Sequence, residues 1–287
     1  MSGIKVLIPM SDYGHDPTGN ITLFHETPNI LSNNLDLLSN YTIDNTFTKL
    51  SSETAIPYTT FTKAGFTVHF ATENGALPAC DRKMLEGITQ KLLGATQDAV
   101  NAYKHMSQTK KFTSPLSWSS DSFSLDSYDV VFLPGGHEKG VRQLIDSEIM
   151  HQQLISYWKG VEKPGKKHVG AVCHGVMVLS ETLTVGNRSI IHDCDTTALP
   201  GVFEGAAYWS TRWALGDYYK TYGAGSENVE TSVRKRLDDP EKQWKHYLGL
   251  QPFVVEDEKY NYISGRWPGD VQLLADRIVE LVKNTDN

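Results

Sequence analysis

Apolar residues fall along this chain in short runs, each closed by glycine or proline and followed by a helical period. Ile4-Lys5-Val6-Leu7-Ile8-Pro9-Met10 and Tyr128-Asp129-Val130-Val131-Phe132-Leu133 read as buried strands, as does His168-Val169-Gly170-Ala171-Val172. Phe66-Thr67-Val68-His69-Phe70-Ala71-Thr72 alternates as a strand does, Tyr260-Asn261-Tyr262-Ile263-Ser264 gives a last one, and Ser189-Ile190-Ile191-His192-Asp193-Cys194 a polar one. Between them, helical spacing predicts helices over 51–64, within 85–106, over 141–159, from the cysteine strand to about 183, in part of 200–223 and over 270–282. Gly65 closes the first of these, and Pro57 has to sit in its first turn or kink it. Strand and helix alternate, with glycines at strand carboxyl ends. The expected architecture is one α/β domain over 1–287 with a doubly wound, mostly parallel, flavodoxin-like sheet. Three stretches, about 21–50, 85–125 and 200–259, interrupt the pattern and read as insertions forming a cap.

In such a sheet ligands bind outside the carboxyl ends of the strands, and three features fall there. The first is Gly170-Ala171-Val172-Cys173-His174-Gly175, a strand, a tight turn and a helix start with a lone cysteine at the bend. That is the layout of a nucleophile elbow, and the amides of the following helix favour thiolate there. A buried structural cysteine fits the same stretch equally well. The second is Pro134-Gly135-Gly136-His137, where two glycines let backbone N–H groups face the cleft; with the N–H of His174 they form a candidate oxyanion site. A plain strand-to-helix turn is the alternative. The third is the polar loop over 11–20, which carries His15.

Composition narrows the class of partner. The 287 residues carry a formal net charge of −7 and no basic stripe, which excludes nucleic acid as an expected partner. No apolar run approaches the roughly 20 residues of a membrane span, and the start has no secretory pattern. Three cysteines, Cys80, Cys173 and Cys194, lack metal-type spacing and suit a reducing compartment, the cytoplasm or else the nucleus. His192-Asp193-Cys194-Asp195 is too short a cluster to read as a metal site, so neither metal nor cofactor is expected.

These residues carry a resemblance. Val130-Val131-Phe132-Leu133-Pro134-Gly135-Gly136-His137-Glu138 followed by Gly170-Ala171-Val172-Cys173-His174-Gly175 resembles the DJ-1/PfpI superfamily within the class I glutamine amidotransferase-like fold. Cys-His-Gly at the elbow is similar to its Hsp31-like branch. Glu53-Thr54-Ala55-Ile56-Pro57-Tyr58, Thr72-Glu73-Asn74-Gly75 and Ile263-Ser264-Gly265-Arg266-Trp267-Pro268 extend the match. The resemblance implies a reactive Cys173 paired with the carboxyl of Glu53, which would otherwise read as an ordinary helix N-terminal acid. It makes His174 an acid/base or orienting neighbour, and it implies a homodimer. The branch usually has an acid that holds the histidine; here only Asp193 or Asp195 stands in, which weakens a peptidase reading. The expected function is a cofactor-free, glyoxalase III-like conversion of methylglyoxal, a small carbonyl substrate, to lactate. The alternatives are an Hsp31-like stress chaperone and oxidation sensor, or a small amidase or peptidase; glutamine amidotransfer lacks its His-X-Glu pair.

Overall fold

The computed structural model describes residues 3–12, 50–78, 97–136 and 139–286. The insertion over 21–50, residues 85–96 of that over 85–125, Cys80, His15 and His137 lie outside the described residues, apart from the helix start at Leu50.

Among the described residues, seven strands form one sheet. They are β1 (Lys5–Pro9), β2 (Thr67–Thr72), β3 (Leu116–Ser117), β4 (Val130–Leu133), β5 (His168–Val172), β6 (Val254–Glu256) and β7 (Tyr262–Gly265). Their order is β3-β2-β1-β4-β5-β7-β6, all parallel except β6, which runs antiparallel along β7. The chain passes outward from β1 to β2 and β3, then returns to β4 on the other side of β1. The crevice where strand order reverses therefore opens at the carboxyl ends of β1 and β4.

Period-two alternation sorts the strand residues onto two faces. Leu7, Val131, Val169 and Tyr262 pack in one cluster with Leu154 and Val178. Val6, Val130, Phe132 and Ile263 pack in a second, with Phe61, Leu274 and Ile278. The first cluster is covered by α5 (Glu148–Trp158) and α6 (Gly175–Ser180); the second by α1 (Leu50–Lys63), α2 (Gln97–Ser107) and α10 (Val271–Asp286). The short α3 (Lys110–Thr113) adds Phe112 to the second. Helices on both faces of a parallel sheet make the doubly wound fold.

Several elements differ from expectation. Residues 189–194 form turns, with His192 N–H donating to the Ser189 carbonyl and Cys194 N–H to that of Ile191; local bonds replace a ladder. The helix expected over 141–159 divides into α4 (Arg142–Ile145) and α5, because the Ser147 hydroxyl accepts from Met150 N–H and starts a new helix. Pro57 lies in the interior of α1 rather than its first turn, so the Glu53 carbonyl, four residues back, has no N–H to bond there. The 200–259 stretch contains α7 (Gly201–Leu215), α8 (Val229–Arg234), α9 (Pro240–Gln243) and the edge strand β6.

Candidate active site

The elbow is made by backbone geometry. Cys173 has φ of +56°, a left-handed conformation that costs a non-glycine residue roughly 1–3 kcal/mol. Its N–H donates to the Gly265 carbonyl at the end of β7 (3.1 Å), and its carbonyl accepts from Val176 (3.3 Å) as α6 begins. The bend holds the side chain out of strand and helix alike. Gly175 follows because a Cβ there would run into the Leu133 and Pro134 carbonyls of the neighbouring strand end.

Glu53 arrives from the first turns of α1, only 2% exposed. A Cβ built on Gly135 would stand 2.5 Å from Cys173 Cβ, 2.7 Å from Glu53 Oε2 and 2.8 Å from the Val172 carbonyl. Gly135 is thus the gap in which the carboxyl and the cysteine come together. His174 Nδ1 lies 3.4 Å from Cys173 Sγ. The backbone N–H groups of His174 and Gly136, the two amides expected to form an oxyanion site, act on the sulfur and favour its thiolate.

The electrostatics differ from the expected low-pKa thiol. Burial pushes the Cys173 thiol well above its usual value; the charge of Glu53, and more weakly that of Glu204, adds to this, and the two amides oppose it. Helix amides alone do not ionise a sulfur that water cannot reach. His174 is neutral for a related reason: burial first, then the Lys220 ammonium, hold it down at about 3. Because the unfolded imidazole takes up its proton near 6.5, stability falls as pH drops below 6.5 and stops falling near 3. Between pH 7 and pH 5 this one residue lowers the unfolding free energy by about 2 kcal/mol. Urea unfolding of His174→Asn beside the unchanged chain, at both pH values, reads it as a flatter pH dependence; an equal fall in both proteins refutes it.

The acids assigned to His174 are held elsewhere. Asp193 accepts from Lys259 Nζ (2.9 Å) and the Tyr260 hydroxyl (3.3 Å), and Asp195 pairs with Lys245 (3.1 Å). A buried acid that sequence reasoning did not single out, Glu204 of α7, adds weakly to the rise of the Cys173 thiol. It is buried, its Oε1 2.9 Å from Lys220 Nζ and its Oε2 accepting from Val229 N–H (2.9 Å). Phe203 beside it packs at a tilt on Trp267 (5.6 Å between ring centroids), joining α7 to the turn after β7. Asp12, Glu73 and Gln143 form a second polar knot from the loops after β1 and β2: Gln143 Nε2 donates to Asp12 Oδ1 and Glu73 Oε2, each at 2.7 Å. Among the described residues no group of three or more His, Cys, Asp or Glu gathers to hold a metal. None of their helices is long and apolar enough to cross a membrane.

A family model described as ThiJ/PfpI family-like matches residues 48–248, which include Glu53, Gly135, Cys173 and Glu204. The chain belongs to this family, within the DJ-1/PfpI superfamily. An uncharacterised protein of Schizosaccharomyces pombe is 30% identical to this ThiJ/PfpI-like chain over 227 residues, covering 79% of this chain and 77% of its own. Among solved structures, the Rapid Encystment Protein of Francisella tularensis aligns with a TM-score of 0.60 at 18% identity, covering 97% of this chain and 99% of its own. Glyoxalase III of Candida albicans aligns with a TM-score of 0.57 at 15% identity, covering 97% of each chain. At these identities the structural likeness speaks for the fold.

Proposed function

We propose that this ThiJ/PfpI-like protein is a cysteine-dependent, cofactor-free glyoxalase that converts methylglyoxal to lactate. The observation that carries the reading is the meeting of Glu53 Oε2 and the elbow cysteine around Gly135, both out of bulk water. A carboxylate close to a neutral thiol in a low-dielectric site is an acceptor for the proton that the sulfur gives up. Sulfur adds to the aldehyde carbon as that proton leaves it, and the carbonyl oxygen becomes the hydroxyl of a hemithioacetal. Glu53 then removes the hydrogen from that carbon, and the electron pair moves to give an enediol. Return of a proton to the adjacent carbon leaves the thioester of lactate. Water cleaves the thioester, releasing lactate and restoring the thiol, so the sum is methylglyoxal plus water to lactate. His174, neutral and in reach of the sulfur through Nδ1, passes protons on and off the oxygen atoms.

A glyoxalase III among proteins of the same fold supports this choice of chemistry. The rival reading as an oxidation sensor needs an exposed, ionised thiol, and the burial of Cys173 does not favour it. Incubation with methylglyoxal in the absence of glutathione, with lactate as the readout, tests the proposal. The unchanged protein forms lactate, Cys173→Ala forms none, and Glu53→Gln loses about 10²–10⁴ in rate. Absence of lactate, or turnover that survives Cys173→Ala, overturns the reading.

A further inference from the structure

α7 turns one face to solvent. At about 100° per residue Val202, Ala206, Trp209 and Trp213 fall in a single stripe. All four are exposed, Val202 at 58%, Trp209 at 65% and Trp213 at 82%. The opposite side belongs to the body: Glu204 is buried, and Ala207, Tyr208 and Leu215 pack against Tyr218 and Tyr219. Trp118, Trp158 and Trp244 are buried, which sets the two indoles of the stripe apart. A contiguous apolar patch of this kind marks an interaction surface.

The stripe is large at one end and small at the other. Trp209 and Trp213 stand on its carboxyl half, and Val202, Gly205 and Ala206 on its amino half. A Cβ built on Gly205 meets nothing within 4 Å, so no crowding inside the chain calls for a glycine there, although it weakens the helix relative to alanine. The bare backbone leaves room for a side chain from outside. Arg212 lies on the same flank as Gly205, its guanidinium over the Trp209 ring at 4.6 Å and the Tyr208 ring at 5.6 Å. At the amino end Glu230 of α8 accepts the Gly201 N–H (2.8 Å), which sets a carboxylate at the first turn of α7.

We propose that this face docks a second copy of the chain, two α7 helices packing antiparallel about a two-fold axis between residues 207 and 208. In that register Trp213 covers Val202 of the partner subunit and Trp209 covers the partner's Ala206. Each large group meets a small one, and symmetry repeats both contacts. Arg212 passes over the partner's Gly205 towards the partner's Glu230, cation to carboxylate. One surface supplies both halves of the fit, which is what a two-fold pair requires. The two indoles expose roughly 350 Å² per copy, so with their flanks the pair buries about 1,000 Å² in all, the low end for a specific interface, and dissociates on the order of 10 μM. The net charge of −7 opposes an anionic bilayer as the occupant. None of this depends on what Cys173 reacts with.

Sedimentation velocity over about 1–200 μM chain tests the pair. The unchanged protein moves from one chain mass towards two. Trp213→Ser and Ala206→Glu, one from each end of the stripe, weaken the dimer at least about tenfold and leave the far-UV spectrum as it was. Single cysteines under mild oxidation read the register, as covalent dimer in excess of that formed by the unchanged chain. Ala206→Cys lies within ~5 Å of its counterpart along the helix axis and links, whereas Val202→Cys stands ~16 Å from its own and does not. Linking by both variants, or by neither, overturns the antiparallel pair, as does a dimer that keeps its strength in Trp213→Ser and Ala206→Glu. A chain that stays monomeric throughout the range overturns the proposal; if it also floats with phosphatidylcholine vesicles, the face belongs to a lipid surface instead.

Discussion

Arg266→Ala lowers the unfolding free energy by about 3–5 kcal/mol, the cost of leaving a buried partner charge uncompensated. The Arg266 and Asp270 side chains are both 0% exposed, and the guanidinium grips the carboxylate with two prongs, Nε to Oδ2 at 2.8 Å and Nη2 to Oδ1 at 2.7 Å. Its remaining donors go to the carbonyls of Gly249 (2.9 Å), Gln251 (2.8 Å) and Tyr247, and the Tyr247 and Phe253 rings cover its faces at 5.2 and 5.3 Å. One side chain therefore fixes the 247–253 loop to the end of β7. Truncation strands Asp270, whose Oδ1 and Oδ2 also accept from the N–H groups of Phe253 and Arg266, and takes the guanidinium donor from three part-buried carbonyls. In a chain of this length the melting temperature falls by about 10 °C. Arg266→Lys keeps the charge and loses the fork, so it recovers only part of the loss. Urea unfolding measures both, and a loss under 1 kcal/mol for Arg266→Ala refutes the account. Gly265, immediately before Arg266, accepts the Cys173 N–H, so the same change loosens the elbow.

Gly135→Ala costs the proposed reaction at least about a hundredfold while destabilising the fold by only ~1–3 kcal/mol. The added methyl stands inside contact distance of Cys173 Cβ, Glu53 Oε2 and the Val172 carbonyl at once. Two of the three neighbours are the proposed nucleophile and its acid, and the third is backbone that cannot turn aside. Cysteine and carboxyl have to part, and a displacement near 1 Å is enough for the expected loss. Lactate formation beside a urea titration reads the two effects separately. Activity within tenfold of the unchanged protein refutes the close meeting at Gly135.

Much of this was legible in the sequence, for physical reasons that also mark the limit. Strands buried on both faces carry long apolar runs, so β1, β4 and β5 are visible as Val-Leu-Ile, Val-Val-Phe-Leu and Val-Gly-Ala-Val. The elbow shows because a left-handed residue next to a close strand-helix contact demands Gly175. Glu53 was singled out by resemblance alone; nothing in its own neighbourhood distinguishes it from an acid at any helix start. β3 and β6 escaped, since two or three residues at a sheet edge form no period. Residues 189–194 have strand-like composition, but turn bonds take up the His192 and Cys194 N–H groups, and Ser189 bridges to Leu183 and not to a strand of the sheet. Glu204 was hidden among the aromatics of 200–223, its partner Lys220 sixteen positions on, at a distance no spacing rule connects. The thiol's protonation was misjudged because the sequence shows the amides and does not show how completely the cleft is covered.

Pro57 bears on how Glu53 can work. Lacking the N–H that would have donated to the Glu53 carbonyl, it leaves the opening turns of α1 joined to the remainder by one rung fewer. The acid sits before the proline in α1, while Phe61 beyond it is anchored against the sheet. In the proposed reaction the carboxyl has to follow a hydrogen from one carbon to the next, and a helix start with one backbone bond fewer suits that motion.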